Sequence, residues 1–277
     1  MKIKKKIWYL IFVTLVFLIA GSFFVVFLKK QNQTPNDSSQ PQISNVANPT
    51  AAEQPQPIQS AAAAEFQSAS ATIKNISSTD RKILQTVPFV VQAPFGNWKD
   101  SNFQNACEEA SMVMAMGWVK KEKTISPTEA QKRILAVINW ENKNFGYSTD
   151  TNAVDMEKVF QQYFEYKNIS VKENVTLEEI KTEIQKGRLV IVPAFGRALK
   201  NPNFTPPDPI AHMLTIIGYD PIAKKFTTND PGTRKGEGYQ YDETLLFDAI
   251  WEYPSGKTDP ALPTLGKMKK AMLSISK

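Results

Sequence analysis

The chain has 277 residues, one cysteine, one histidine and a formal net charge of +6. Six lysines among the first thirty residues account for the whole excess, so the remainder is formally neutral. A neutral body lacks the concentrated basic surface on which nucleic-acid binding depends, and no nucleic-acid partner is expected. One cysteine and one histidine also exclude an intrachain disulfide and the usual zinc ligand sets, so neither a metal nor another cofactor is expected.

The N-terminal segment predicts a membrane anchor. Residues 7–28 carry no charged side chain, and as a helix rising about 1.5 Å per residue they would span roughly 33 Å, the thickness of a bilayer core. Four lysines precede this run and two follow it, which predicts a cytoplasmic N-terminus and an exported C-terminal part. We therefore assign residues 1–30 to a basic tip and a single-pass signal anchor in the cell membrane. A signal peptide cleaved after Ala20 is the alternative.

The next segment, residues 31–81, is rich in Gln, Pro, Ala and Ser and poor in large apolar residues. Such a composition predicts a disordered linker, with a reach of roughly 40 Å for a flexible chain of this length. Residues 82–277 form the expected folded domain, outside the membrane. A thiol without a disulfide partner in an oxidising compartment is prone to oxidation. We therefore expect Cys107 either to be buried or to have a function.

The first half of the domain is predicted to be mainly helical. A strand over residues 83–91 leads to Gln92, and a helix then begins after Asn105, its predicted N-cap, with Cys107 in the first turn and Glu108 completing a capping box. Further helices are predicted from Ser126, over about residues 153–166, and from the capping box at Thr176 to Gly187.

The second half is predicted to form strands. Short apolar runs cover residues 188–195, 213–219 and 225–230, and the last two read as an antiparallel hairpin. A proline-rich loop over residues 196–210 separates the first two runs. Helices followed by strands predict an α+β domain, with the cysteine helix packed on an antiparallel sheet.

Four residues occur in an order that suits nucleophilic catalysis. Cys107 lies in the first turn of a helix, where the dipole favours a thiolate, and His212 at a strand start is the only candidate base. Asp230 ends the next strand and could orient the imidazole, with Asn229 as the alternative. The Gln92 amide could join the Cys107 backbone N–H in an oxyanion hole.

The segments VPFVVQAPFGNW, NACEEAS, AHMLTIIGYD and FTTNDPGT carry a resemblance that covers residues 87–251. They resemble the papain-fold cysteine peptidases related to the double-glycine leader peptidases, a peptidase-like family of bacterial exported proteins. The resemblance implies a papain-like fold and a peptide or protein substrate. It also implies Cys107 as nucleophile, His212 as base, Asp230 as third triad member and Gln92 as oxyanion donor.

One departure from the family pattern bears on activity. The family commonly has Gly-Pro after its cysteine, whereas this chain has Glu108-Glu109, and nearby carboxylates oppose thiolate formation unless they point away. Trp98, Tyr147 and Phe204 are candidates to line the cleft.

Besides a peptidase, two hypotheses stay open. One is a cell-wall peptide hydrolase or transpeptidase, and the other is a tethered binding module without chemistry. The sequence leaves the oligomeric state open.

Overall fold

The computed structural model of the chain describes residues 81–257 and 260–277. The predicted anchor over residues 1–30 lies outside these residues, and so does the predicted linker up to residue 80. Among the described residues, no helix combines the length and the apolar character that a membrane crossing requires.

The described residues form six α-helices and one 3₁₀ turn. Two predicted caps are confirmed: the Ser126 side chain accepts from the Glu129 N–H, and Thr176 and Glu179 form a reciprocal capping box. The helices are α1 (Ser101–Gln104), α2 (Cys107–Val119), α3 (Pro127–Asn144), α4 (Ala153–Gln162), α5 (Leu177–Gln185) and α6 (Glu243–Ala249), and the 3₁₀ turn is Gly196–Leu199.

The strands of the described region build one antiparallel sheet in the order β2-β7-β3-β4-β5-β6, with β1 paired to β4. Helices segregated from an antiparallel sheet define an α+β domain, as predicted. The strands are β1 (Ile83–Leu84), β2 (Ile169–Glu173), β3 (Leu189–Phe195), β4 (Ala211–Asp220), β5 (Lys225–Asn229), β6 (Tyr239–Asp242) and β7 (Ala271–Ile275).

Both faces of the sheet are covered by helices. In β3, Leu189 and Ile191 join one apolar cluster with residues of α2, α3 and α4, whereas Val190 and Val192 join a second cluster with residues of α5 and α6. Successive side chains of a strand point to opposite faces, so a strand covered on both faces needs a continuous apolar run. This explains why β3 shows no apolar and polar alternation.

The predicted cap of the cysteine helix is wrong. The N-cap of α2 is Ala106, which has no side chain to cap, and Asn105 instead terminates the short helix α1. With φ −120° and ψ 29°, Asn105 does not adopt the extended conformation of a usual N-cap residue. The Glu108 carboxylate is consequently free to contact other groups.

Two other boundaries differ from the prediction, and several elements are missing from it. The strand expected over residues 83–91 covers only Ile83–Leu84, and α4 ends at Gln162 instead of extending to 166. The prediction lacks the strands β2, β6 and β7 and the helices α1 and α6, and β7 lies between β2 and β3. β2 and β7 pair across about a hundred residues of sequence, so no local pattern could indicate their partnership.

Candidate functional site

A cavity of about 910 Å³ collects residues from distant parts of the chain. Gln92, Cys107 and His212 all line it, although they belong to an N-terminal loop, the start of α2 and the start of β4. Its walls are formed by residues of the loops around 98–99, 202–210 and 232–235. The fold therefore brings three of the four predicted site residues to one cavity, and the fourth contacts His212.

His212 and Asp230 form a buried pair. The His212 Nε2 and Asp230 Oδ1 atoms are 2.8 Å apart, and the side chains are 2% and 0% exposed. The neighbouring strands β4 and β5 bring the start of one beside the end of the other. Because Nε2 is engaged, the ring nitrogen Nδ1 is left for another partner.

Asn229, the alternative to Asp230, has other contacts. Its Nδ2 donates to the Val87 carbonyl at 3.3 Å, and its Oδ1 accepts from the Gly238 N–H at 3.2 Å. Asn229 thus ties β5 to the segment before Gln92 and to the loop before β6, and Asp230 is the residue that contacts His212.

The Asp230 carboxylate has a full set of donors. Oδ1 also accepts from the Gly232 N–H at 3.0 Å, and Oδ2 accepts from the Tyr241 hydroxyl at 2.7 Å and from Asn201 Nδ2 at 3.3 Å. Burial acts to raise the pKa of Asp230, but His212 and the hydrogen-bond donors outweigh it and the pKa is lowered. Asp230 is therefore held as a carboxylate.

Sequence reasoning missed Asn201 and Tyr241. Asn201 lies in the proline-rich loop and Tyr241 on β6, and they also bond to each other at 2.8 Å. No spacing relates them to Asp230, because their proximity arises from strand pairing and loop packing.

Gly232, two residues after Asp230, lets the backbone approach the His212 ring closely. A Cβ at this position would lie 2.7 Å from His212 Cε1 and 3.1 Å from a ring atom of Phe204. The Phe204 and His212 rings meet edge to face with centroids 5.2 Å apart. Glycine is thus required for close approach to the imidazole, which is confined between the loop and the Phe204 ring.

The Cys107 thiol is held by its neighbour. Its Sγ donates to Glu108 Oε2 at 3.0 Å, and the Tyr253 hydroxyl donates to Glu108 Oε1 at 2.6 Å. Burial raises the pKa of Cys107 well above its ordinary value, and the charge of Glu108 raises it further. The expectation that the helix start favours a thiolate is therefore wrong for this arrangement.

A set of buried acids lies beside the thiol. Glu109 and Glu141 are 0% exposed, and neither carboxyl group has a hydrogen-bond donor among the described residues. Burial raises the pKa of Glu109 and raises that of Glu141 to about 8, and the two groups also affect each other. Burial, and then the charge of Glu108, raises the pKa of Asp150 to about 8. With pKa values of about 8, Glu141 and Asp150 are mostly protonated at neutral pH.

Gln92 is buried, and its side chain is already engaged. Nε2 donates to the carbonyls of Phe103 and Gln104 at 3.1 and 2.9 Å, just before Cys107 in the chain. Its Oε1 has no partner among the described residues. Because both amide hydrogens bond to α1, the role of Gln92 as an oxyanion donor stays a prediction.

Two of the three aromatic candidates line the cavity. Trp98 and Phe204 are part of its wall. Tyr147 is not, and its hydroxyl donates to Asp155 Oδ2 at 2.7 Å. The expectation for Tyr147 is wrong because that side chain belongs to the α3–α4 connection.

We expect Glu108→Gln to lower the pKa of Cys107. The amide keeps the size of the side chain but removes the charge that opposes the thiolate, and a shift of about one unit or more is expected. The rate of iodoacetamide alkylation against pH measures it, because the chain has one thiol.

Glu109→Gln is the matched control, since the Glu109 carboxyl group makes no hydrogen bond to the thiol. Equal shifts in the two variants would contradict a specific effect of the Glu108 contact.

We expect Glu141→Gln to reduce the loss of stability as pH rises. An acid with a raised folded pKa binds more protons when folded, so its stability contribution is full below about pH 4.5 and is lost toward about pH 8. The variant should lose less free energy of unfolding between about pH 5 and pH 8 than the wild type, by a few kcal/mol. Urea titrations at stepped pH measure this difference, with the exposed Glu165→Gln as control. Parallel pH profiles for wild type and Glu141→Gln would rule out the effect.

The chain matches one family model and is similar to a solved structure. The family model described as "Peptidase_C39 like family" matches residues 84–258. A solved structure described as a "putative C39-like peptidase from Bacillus anthracis" is 15% identical, with a TM-score of 0.42, and the match covers 72% of this chain and 99% of that chain. No curated protein matches the chain. The family match spans more than half of the sequence, and the chain therefore belongs to the Peptidase_C39-like family of cysteine peptidases.

Proposed function

We propose that the protein is a membrane-anchored, outward-facing cysteine peptidase that cleaves peptide bonds through an acyl-enzyme. The observation that carries the proposal is the buried His212–Asp230 pair, because His212 lines the same cavity as Cys107, which begins a helix. Family membership supports the cysteine-peptidase kind of chemistry.

In the proposed reaction, His212 is the general base. Its Nε2 is bound to Asp230, so Nδ1 takes the proton of Cys107, and the thiolate attacks the peptide carbonyl. The imidazolium then protonates the leaving amine, and the same nitrogen activates the water that hydrolyses the thioester. Asp230 fixes the tautomer and stabilises the imidazolium without taking its proton.

Glu108 gives the thiol a resting position. The Sγ–Oε2 hydrogen bond keeps the proton on sulfur, and a rotation of Cys107 about χ1 would release it. The first-turn N–H of Cys107 has no helical partner and is a natural oxyanion donor. The Gln92 amide joins it if one of its bonds to the α1 carbonyls is exchanged for the oxyanion.

One observation favours the binding module without chemistry. A thiol with a raised pKa, held by a carboxylate, is a poor nucleophile unless it is released. The cleavage experiment described next separates this binding module from the peptidase.

The proposal is tested by incubating the full-length protein with an unfolded protein and, separately, with purified wall peptides. The wild type should cleave at least one of them. The cleavage rate of Cys107→Ala and of His212→Ala should be about a thousandfold lower, because catalytic residues that act as a unit lose most of their effect when one is removed. The rate of Asp230→Asn should be lower by about a hundredfold or more.

Tyr147→Phe, outside the cavity, is the control and should keep the wild-type rate. Cleavage that survives Cys107→Ala would eliminate the thiol mechanism. Cleavage of neither substrate by a folded wild type would favour the binding module, and cleavage of wall peptides alone would favour the wall hydrolase.

The anchor is tested by fractionation of bacterial cells that produce the full chain. We expect the protein in the membrane fraction, with the domain degraded by protease added outside the cytoplasmic membrane, because residues 7–28 are long and apolar enough to span it. Removal of residues 2–30 should abolish membrane association. A mature protein that begins after Ala20 and is free in the medium would contradict the anchor.

A further inference from the structure

Three cations share one wall of the cavity. Lys99, Arg234 and Lys235 line it from two loops that are packed together. The Gln92 N–H donates to the Pro231 carbonyl at 3.0 Å, which joins the segment before the first loop to the start of the second. Because the two loops are joined, we treat the three cations as one group and call it the basic wall.

A glycine allows the two loops to pack so closely. A Cβ at Gly96 would lie 2.1 Å from Arg234 Nη2, so the guanidinium lies over the backbone of the first loop. Gly96 also has φ +76°, a conformation that side chains disfavour. Arg234 is thus positioned by the loop and still reaches the cavity.

The rest of the cavity has a different character. Its proline-rich loop contributes uncharged side chains that are mostly apolar: Pro202, Asn203, Phe204, Thr205, Pro206, Pro207, Pro209 and Ile210. The cavity therefore has a positive wall and an uncharged wall, in addition to the residues of the proposed reaction. An extended peptide fits such a site if its apolar surface contacts the proline-rich loop and its charged groups reach the basic wall.

The charge of the basic wall is not neutralised from within the described residues. Lys99, Arg234 and Lys235 are exposed, and none of them forms an ion pair there. Among the residues that the structure describes, the one carboxyl group lining the cavity is that of Asp150. Its pKa of about 8, raised by burial and by Glu108, leaves it mostly protonated at neutral pH.

Three other acids are close in sequence to lining residues, and none of them lines the cavity: Asp100, Asp208 and Glu237. Asp100 follows Lys99 and caps α1 by accepting from the Asn102 N–H, Asp208 stands between Pro207 and Pro209, and Glu237 lies two residues beyond Lys235. Among the described lining residues the cations therefore outnumber the acids, and a cleft with low-dielectric walls strengthens such a field.

We propose that the basic wall selects acidic peptides, whose carboxylates bind Lys99, Arg234 and Lys235 beside the bond to be cleaved. Arginine binds carboxylates through paired hydrogen bonds and lysine acts as a point charge, so the wall suits carboxylates in more than one position. This inference rests on the proposed peptidase function and gives its substrate class. The carboxylate can belong to an acidic side chain or to the end of a peptide.

Binding is measured by calorimetry on the full-length Cys107→Ala variant, so that no chemistry is needed. The probes are Ala-Glu and Ala-Gln repeat octapeptides capped at both ends, and the Ala-Gln peptide with a free C-terminal carboxylate. We expect at least one carboxylate peptide to bind about tenfold more tightly than the capped Ala-Gln peptide at low salt. The difference should shrink in about 0.5 M salt, which screens exposed charges.

The comparison of the three peptides also identifies the source of the carboxylate. Tighter binding of the capped Ala-Glu peptide assigns the wall to side chains, and tighter binding of the uncapped Ala-Gln peptide assigns it to a terminus. Equal binding of all three would overturn the proposal.

A triple variant tests the wall itself, with Lys99→Gln, Arg234→Gln and Lys235→Gln combined. We expect it to lose the preference for carboxylates. The matched control removes three exposed charges that do not line the cavity, by Lys123→Gln, Lys132→Gln and Lys143→Gln. Equal losses in both triple variants would mean that only the net charge matters, which would overturn the proposal.

The two proposals fail separately. A wild type that binds acidic peptides selectively but cleaves nothing would contradict the peptidase and leave the basic wall intact. A wild type that cleaves acidic and neutral peptides equally well, in a Cys107-dependent way, would contradict the selection of acidic peptides alone.

Discussion

The hydrogen bond between His212 and Asp230 is the interaction on which the arrangement of the site depends. A carboxylate with no exposed surface is costly unless its charge is compensated, and here an imidazole, a hydroxyl, an amide and a backbone N–H all reach it. These donors come from β4, β6, the proline-rich loop and the turn after β5. The burial of one charge therefore links the centre of the sheet to two walls of the cavity.

The thiol shows which of two electrostatic effects is larger. A helix N-terminus stabilises a nearby negative charge by about 0.3–1 kcal/mol, whereas full burial can shift a pKa by 3–5 units at roughly 1.4 kcal/mol each. Cys107 is 4% exposed and donates to a buried carboxylate, so burial and Glu108 outweigh the helix dipole. In the proposed reaction, the Cys107 thiol has to break its hydrogen bond to Glu108 before it can attack. Binding of a substrate can trigger that step.

The cavity combines rigid and loop-borne parts. His212 and Cys107 belong to β4 and α2, which pack against each other, whereas the basic wall and the proline-rich wall lie in connections. Such a division lets the chemistry stay fixed while the walls set which substrates fit. The contact of Arg234 with Gly96 shows how the loops build a wall. Because Gly96 has no side chain, the Arg234 loop packs against it and the two loops form one surface.

Local patterns in the sequence were sufficient to predict the fold class and the main site residues. The caps at Ser126 and Thr176 and the apolar runs of β3 and β4 predicted an α+β domain, because each depends on neighbours within a few residues. The resemblance of the motifs around Cys107 and His212 implied the cysteine-peptidase family. The tertiary structure alone decided that Asp230 and not Asn229 contacts His212, and that Glu108 faces the thiol instead of capping its helix. It also decided the pairing of β2 with β7. These outcomes depend on which side chains meet across the folded chain, and residues far apart in sequence leave no local pattern of their contact.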